Sequence, residues 1–208
     1  MTLLVLEQGA LSPVLNMATD LALFEDRAAW LRFYARMPAA ISIGYFQSLE
    51  DFHDLEGSYP LLRRPTGGGA ILHADEITFS LALPASAFPP GRTEGYGIVN
   101  KAVQEAVGSP RLMPPSEPAP KGSDPGSARW CFASATGLDL VLEDGRKVFG
   151  SAQRRSRSRV LHHGSLVLSR HPETPFVGSL LGEDPSTPAF RTELVERLKL
   201  GLAEVLGL

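Results

Sequence analysis

The chain has 208 residues, 43% hydrophobic and 21% charged, with a net charge of -3, 20 Gly, 17 Pro and a single cysteine, Cys131. That length suits one domain with a core that needs no disulfide or metal staple, and one cysteine excludes an intramolecular disulfide in any case. The slightly acidic balance excludes the broad basic field of a nucleic-acid binder, and no apolar run approaches the ~18 residues of a membrane span. The N-terminus MTLLVLEQG has neither the basic start nor the apolar length of a secretion signal. A cytoplasmic protein with no nucleic-acid or membrane partner is the expectation.

In chain order, Leu3 to Leu6 reads as a short buried strand ended by Gly9, and Pro13 onward has apolar residues at helical spacing through Phe24. Leu31 to Tyr34 and Ala40 to Tyr45 read as strands on either side of Met37-Pro38, and Ser48 caps a short helix to Leu55. Leu61 to Arg64 and Ala70 to His73 flank the turn-rich Pro65 to Gly69, and Ile77, Phe79, Leu81 and Leu83 alternate as in a strand. Glu94 to Val107 forms an amphipathic helix stopped by Gly108. Ser109 to Ala128 holds six prolines and two glycines and reads as a long loop. Leu138 to Glu143 and Arg146 to Gly150 flank Asp144-Gly145, a hairpin signal, and Val160 to Leu168 is a further strand. After a proline-rich stretch from Pro172 to Pro188, Phe190 to Leu206 is a final helix with Gly207 as its stop. The fold class expected is α+β, a mixed, mostly antiparallel sheet flanked by helices, in one domain over residues 1 to 208.

Four features carry chemistry. The run Arg63-Arg64-Pro65-Thr66-Gly67-Gly68-Gly69 lacks Cβ atoms over three positions, so its N–H groups can approach a ligand, and the arginine pair suits a phosphate or carboxylate. It matches neither a Walker A loop nor the dinucleotide glycine spacing, and read alone it is equally a glycine-rich bend. Lys147 follows the Asp144-Gly145 turn and precedes the small residues Gly150, Ser151 and Ala152. If Val148 is buried, Lys147 faces solvent or a cleft. His162 and His163 are neighbours in a strand and face opposite sides, so no metal site is expected from them. Cys131 lies between Trp130 and Phe132, either as an inert buried thiol or as a nucleophile whose thiolate needs a cation such as Lys147. Arg154, Arg155, Arg157 and Arg159 form a basic run that is either solvated or a docking site for an acidic carrier protein.

Taken in order, six segments resemble the biotin/lipoate A/B protein ligase superfamily over roughly residues 5 to 170. They are Leu15-Asn16-Met17-Ala18 with Asp20, Ser42 to Gln47, Arg63 to His73, Glu76 to Ser80, Asp144 to Gln153, and His162 to Leu166. Cys131-Phe132, Arg63 to Gly68, Glu76 to Ser80 and Gly150 to Gln153 are most similar to the cysteine-dependent octanoyltransferases. Gly69 and His162-His163-Gly164 are at least as similar to the ATP-dependent lipoate-protein ligases.

The resemblance to the transferases implies a catalytic Cys131 with Lys147, and no cofactor. It implies a substrate site of Arg64, Gly67, Gly68, Gly69, His73, Gly150, Ser151, Ala152, His163 and Gly164. Acyl carrier protein would be the donor, and lipoyl-domain proteins, the glycine cleavage H protein or dehydrogenase E2 subunits, the acceptors. The ligase alternative implies ATP and Mg with Cys131 a bystander, and a third reading is a non-catalytic subunit that binds lipoyl domains. No accessory C-terminal domain of the kind many ligases carry is expected. One departure is that Ala74 follows His73 where the family usually has Asp, leaving Asp75 as the candidate substitute.

Overall fold

The computed structural model describes residues 1–108, 112–114 and 129–208, so the expected proline-rich loop at 109–128 lies almost wholly outside the described residues. Among the described residues nine strands form two sheets. The larger contains β1 (Leu3–Leu11), β2 (Ala29–Arg36), β6 (Glu76–Pro84), β9 (Arg159–Val167), β8 (Lys147–Arg155) and β7 (Leu140–Val141), in that spatial order. Within this sheet only the β1–β2 pair is parallel. The smaller sheet has β3 (Ala40–Ile43) between β4 (Leu61–Arg63), its parallel partner, and β5 (Ile71–His73), its antiparallel one. Three α-helices complete the described residues: α1 (Pro13–Glu25), α2 (Arg92–Val107) and α3 (Pro188–Leu206). Among the described residues no helix is long and apolar enough to cross a membrane.

Local chemistry explains most boundaries. Ser12 and Thr187 cap α1 and α3 by accepting from Leu15 N and Phe190 N, each with a proline in the first turn. Gly108 and Gly207 end α2 and α3 in the left-handed conformation. The expected first strand is corrected: it runs through Gly9 to Leu11 and is mostly exposed, because β1 is a sheet edge whose pairing with β2 continues past an irregularity between Glu7 and Ala10. The expected hairpin keeps its turn, with Gly145 at φ +80°, but only Leu140 and Val141 pair as a strand.

The large sheet has two unlike faces, and this positions the site. Leu31, Phe33, Ile77, Phe79, Leu81, Leu83, Phe149, Val160 and Leu166 form the main core with α2 and α3. On the other face the register aligns Arg32 with Ser80, His163 and Ala152, and Tyr34 with Thr78, Ser165 and Gly150. Helix α1 and the small sheet cover that polar face. The Arg32 guanidinium donates to Asp20 Oδ1 at 2.8 Å and to the Asn16 carbonyl at 3.0 Å, while Tyr34 and Ser80 hydroxyls donate to Asp20 at 2.8 and 2.7 Å. An apolar helix face would have left these buried polar groups unpaired, at a cost of about 1–3 kcal/mol each.

His162 is on the core face, between the rings of Phe88 and Tyr96 and 3.0 Å from the Gln153 amide nitrogen. Burial first, then the charges of His163 and Arg155, pushes it down to about 3. The unfolded chain therefore binds a proton near pH 6.5 that the folded chain refuses until about pH 3. Between those values the unfolded state holds more protons, so stability is retained above pH 6.5 and falls as the pH drops. At pH 5 the loss from this residue is about 2 kcal/mol. Urea midpoints at pH 7 and pH 5 check this, and His162→Leu should flatten the difference.

Candidate active site

Cys131 opens a short 3-10 turn, Cys131–Ala133, that is stitched to the approach of β5. Ala70 N donates to Arg129 O and Cys131 N to Ala70 O, both at 2.8 Å. Arg129 in turn pairs with Asp54 at 2.6 Å, and its carbonyl accepts from Gln47 Nε2 at 2.9 Å. A Cβ on Gly69 would lie 2.8 Å from Cys131 N and 3.0 Å from Arg129 O, backbone atoms that cannot swing aside. Gly69 is thus expected to be intolerant. Gly69→Ala should displace Cys131 and cut its acylation by about a hundredfold, a penalty typical of an ångström-scale misplacement. Single-turnover acylation measured beside a thermal melt checks this.

Lys147, at the start of β8, is buried although Val148 is buried too, so of the two placements open to it, solvent or a cleft, solvent is ruled out. Its ammonium donates to Cys131 Sγ at 3.4 Å and to the Cys131 carbonyl at 3.1 Å, and pairs with Asp139 Oδ1 at 2.9 Å. It also lies 4.9 Å above the Phe132 ring. Burial pushes the ammonium down, but the Cys131 sulfur as thiolate and the Asp139 carboxylate outweigh it, so Lys147 titrates above its ordinary range. Gly150 makes room for this arrangement, because a Cβ there would lie 2.5 Å from Lys147 Cε. Asp139 is held by Thr136, whose N–H and hydroxyl donate to Oδ2 at 2.8 and 2.9 Å. Sequence reasoning missed Asp139. Its signal was an acidic residue on the first arm of the hairpin, two positions before Val141, the residue that pairs with the lysine.

Beside Cys131 is a cleft that opens to solvent. It brings together Cys131, Arg64, Gly67, Gly68, His73, Gly150, Ser151, Ala152, His163 and Gly164, nearly all the residues the resemblance implied. Gly69 is not among its lining residues and acts through the Cys131 backbone. Gly164 and its partner Ser151 give backbone to the cleft floor, since a Cβ on Gly164 would point at Phe79 and Phe149 on the core face. Met17, Tyr34, Arg36, Ser42, Ile71, Thr78 and Ser165 complete the lining and were not foreseen as such.

Two expected roles are corrected. The arginine pair braces backbone, Arg63 the segment after β3 and Arg64 the glycine loop. Arg63 donates to the carbonyls of Gly44, Tyr45 and Gln47, and Arg64 to those of Ser42, Gly67 and Gly69. Half of the basic run is also committed. Arg155 donates to the carbonyls of Pro89, Pro90 and Gly91, and Arg159 to those of Leu23, Phe24, Arg27 and Ala82, which leaves Arg154 and Arg157 exposed.

His73 belongs to a buried cluster with Arg36, Ser42 and Glu76. Burial and then the Arg36 charge push His73 down to about 4. Against burial, His73 and Arg36 hold Glu76 down at about 2. Asp75 accepts from Ser186 and Arg191 at 2.6–2.8 Å and ties β6 to α3, so it does not stand in for the missing acid at Ala74. Both Ala74 and Asp75 line a second cavity of about 400 Å³ on the other side of the Cys131 turn, beside Trp130 and Phe132.

Residues 12–183 match the lipoyl protein ligase A/B catalytic domain. The chain is 37% identical over 186 residues to the octanoyltransferase LipM of Symbiobacterium thermophilum, covering 85% of this chain and 67% of that one. It spans about two thirds of the length of the curated relatives it matches. Protein Ta0514 of T. acidophilum with bound lipoic acid is similar in fold, with TM-score 0.73 and 20% identity over 100% of this chain and 87% of that one. So is a bi-partite lipoate protein ligase of Thermoplasma acidophilum, solved with its E2 lipoyl domain, with TM-score 0.67 and 20% identity over 98% and 83% of the two chains. With the family domain matched over most of its length and the expected mixed sheet in place, the chain belongs to the lipoyl protein ligase A/B catalytic domain family.

Proposed function

We propose that the chain is the catalytic unit of an acyltransferase that moves an octanoyl group from acyl carrier protein onto Cys131 and then onto the lysine of a lipoyl domain. The observation that carries this reading is the buried Lys147 ammonium 3.4 Å from the Sγ of Cys131, which lines the cleft. An ammonium at that distance faces the negative charge that sulfur carries when it attacks or leaves as a nucleophile. Attack on the donor thioester exchanges one thioester for another, and aminolysis by the acceptor lysine is downhill, so the sequence of steps needs no ATP.

The cleft fits the acyl group. From Gly150 beside Lys147 to Tyr34 the floor crosses β8, β9, β6 and β2, three strand spacings or about 14 Å. Eight carbons with bonds of about 1.5 Å span no more than about 11 Å. Thr78, His73 and Ser165 are all bonded to Glu76, so an alkyl chain lying over them leaves few groups unpaired. Burying the chain contributes about 0.8 kcal/mol per methylene.

The test is to mix the protein with octanoyl-acyl carrier protein and a lipoyl domain without ATP and follow the mass of the domain. Octanoylated domain is the expected result. Modification only when free octanoate or lipoate and ATP are supplied replaces this reading with the ligase.

A further inference from the structure

Aminolysis of the acyl-enzyme needs a base, and Lys147 is unsuited to be it. Its three N–H bonds already point at Cys131 Sγ, the Cys131 carbonyl and Asp139, and its surroundings favour the charged form. His73 is bound within the Arg36, Ser42 and Glu76 cluster, which disfavours a further proton. Among the described residues that line the cleft, His163 is the remaining side chain of a type that exchanges protons near neutrality.

We infer that His163, with Asp20 behind it, takes the proton released when the acceptor lysine attacks the octanoyl thioester, an inference that rests on the acyl-transfer reading. The His163 ring is more than nine-tenths buried, with Nδ1 3.4 Å from Thr66 Oγ1. Its Nε2 lies 3.0 Å from Asp20 Oδ2 but off the line of a hydrogen bond, and so has no hydrogen-bond partner. A proton taken by the ring turns that contact into an ion pair. Asp20 stays anionic for this purpose. Burial alone would raise its pKa, but His163 once its ring is charged, together with Arg32 and the Ser80 hydroxyl, holds it far below the usual carboxylate range.

The other charged or titratable groups near His163 fit this role. Arg32 and Tyr34 of β2 lie on Asp20, Arg64 braces the glycine loop, and His162 occupies the opposite sheet face. His163 and Cys131 line the same cleft, so a substrate amine attacking at Cys131 shares that space with the His163 ring.

The steps balance. The acceptor side chain loses its first proton to solvent and attacks the carbonyl carbon as a neutral amine. As the C–S bond breaks, the sulfur leaves as a thiolate beside the Lys147 ammonium, and the extra proton on nitrogen passes to His163. The imidazolium returns that proton to solvent when the amide product departs.

Octanoyl loading from octanoyl-acyl carrier protein and transfer from the isolated acyl-enzyme to a lipoyl domain are measured separately, in single turnover, from about pH 6 to pH 9. For His163→Asn the ratio of transfer to loading at pH 7 should fall about a hundredfold, and transfer should keep rising with pH where the wild type has levelled off. Asp20→Asn should fall in the same direction by about tenfold, and thermal melts identify any variant that has not folded. A ratio and pH profile equal to wild type in folded His163→Asn overturns the inference alone. A wild-type protein that never loads octanoyl removes the transfer reading as well.

Discussion

Cys131→Ser should load octanoyl at least about a thousandfold more slowly than the wild type, with its melting temperature little changed. The substitution is nearly isosteric, so the turn at Cys131–Ala133 and its hydrogen bond from Cys131 N to Ala70 O are kept. What changes is the nucleophile. Lys147 is an ammonium that can favour a thiolate at 3.4 Å, but a serine hydroxyl is far too weak an acid to ionise for it, and Lys147 has no free lone pair to take the proton. Rates of acyl-enzyme formation by rapid quench and intact mass check the figure. Serine at near wild-type rate would mean that the thiol is a packing residue.

Lys147→Met should be costly in two separable ways. It removes the cation beside Cys131 Sγ, which should slow loading at pH 7 by about a hundredfold or more. It also strands the buried Asp139 carboxylate, a loss of about 3–5 kcal/mol when one partner of a buried pair is removed. The two effects part in the double variant Lys147→Met with Asp139→Asn. A neutral amide beside a thioether restores much of the stability, and loading stays slow. Urea unfolding measured alongside loading tests both halves, and recovery of loading in the double variant would show that Lys147 acts only through stability.

Much of this arrangement was legible in the chain. Alternation in Glu76 to Pro84 marks a strand, and its polar members Glu76, Thr78 and Ser80 prove to be as buried as Ile77, Phe79 and Leu81. That burial is not visible in a single strand. It arises because α1 brings Asn16 and Asp20 over Arg32 and Ser80, a match between residues up to 60 positions apart. The division into two sheets was likewise hidden, since β3 and β5 are short and resemble continuations of their neighbours.

At the site, the glycine run and Lys147 were identifiable by type and spacing. The work of Arg63, Arg64, Arg155 and Arg159 was not, because a guanidinium that braces backbone carbonyls and one that waits for an anion look alike in sequence. Asp139 escaped because its meaning depends on the irregular pairing of Val141 with Lys147, which folds the hairpin arm so that an ammonium and a carboxylate meet at 2.9 Å.

The central claim is that Cys131 carries the acyl group between donor and acceptor. Its most direct test is the intact mass of the protein mixed with octanoyl-acyl carrier protein alone, with neither ATP nor acceptor, followed by peptide mapping. One octanoyl group per chain is expected, on the peptide containing Cys131, with its discharge when a lipoyl domain is added. A protein that stays unmodified under those conditions, yet transfers octanoyl to the domain once all components are present, would contradict it.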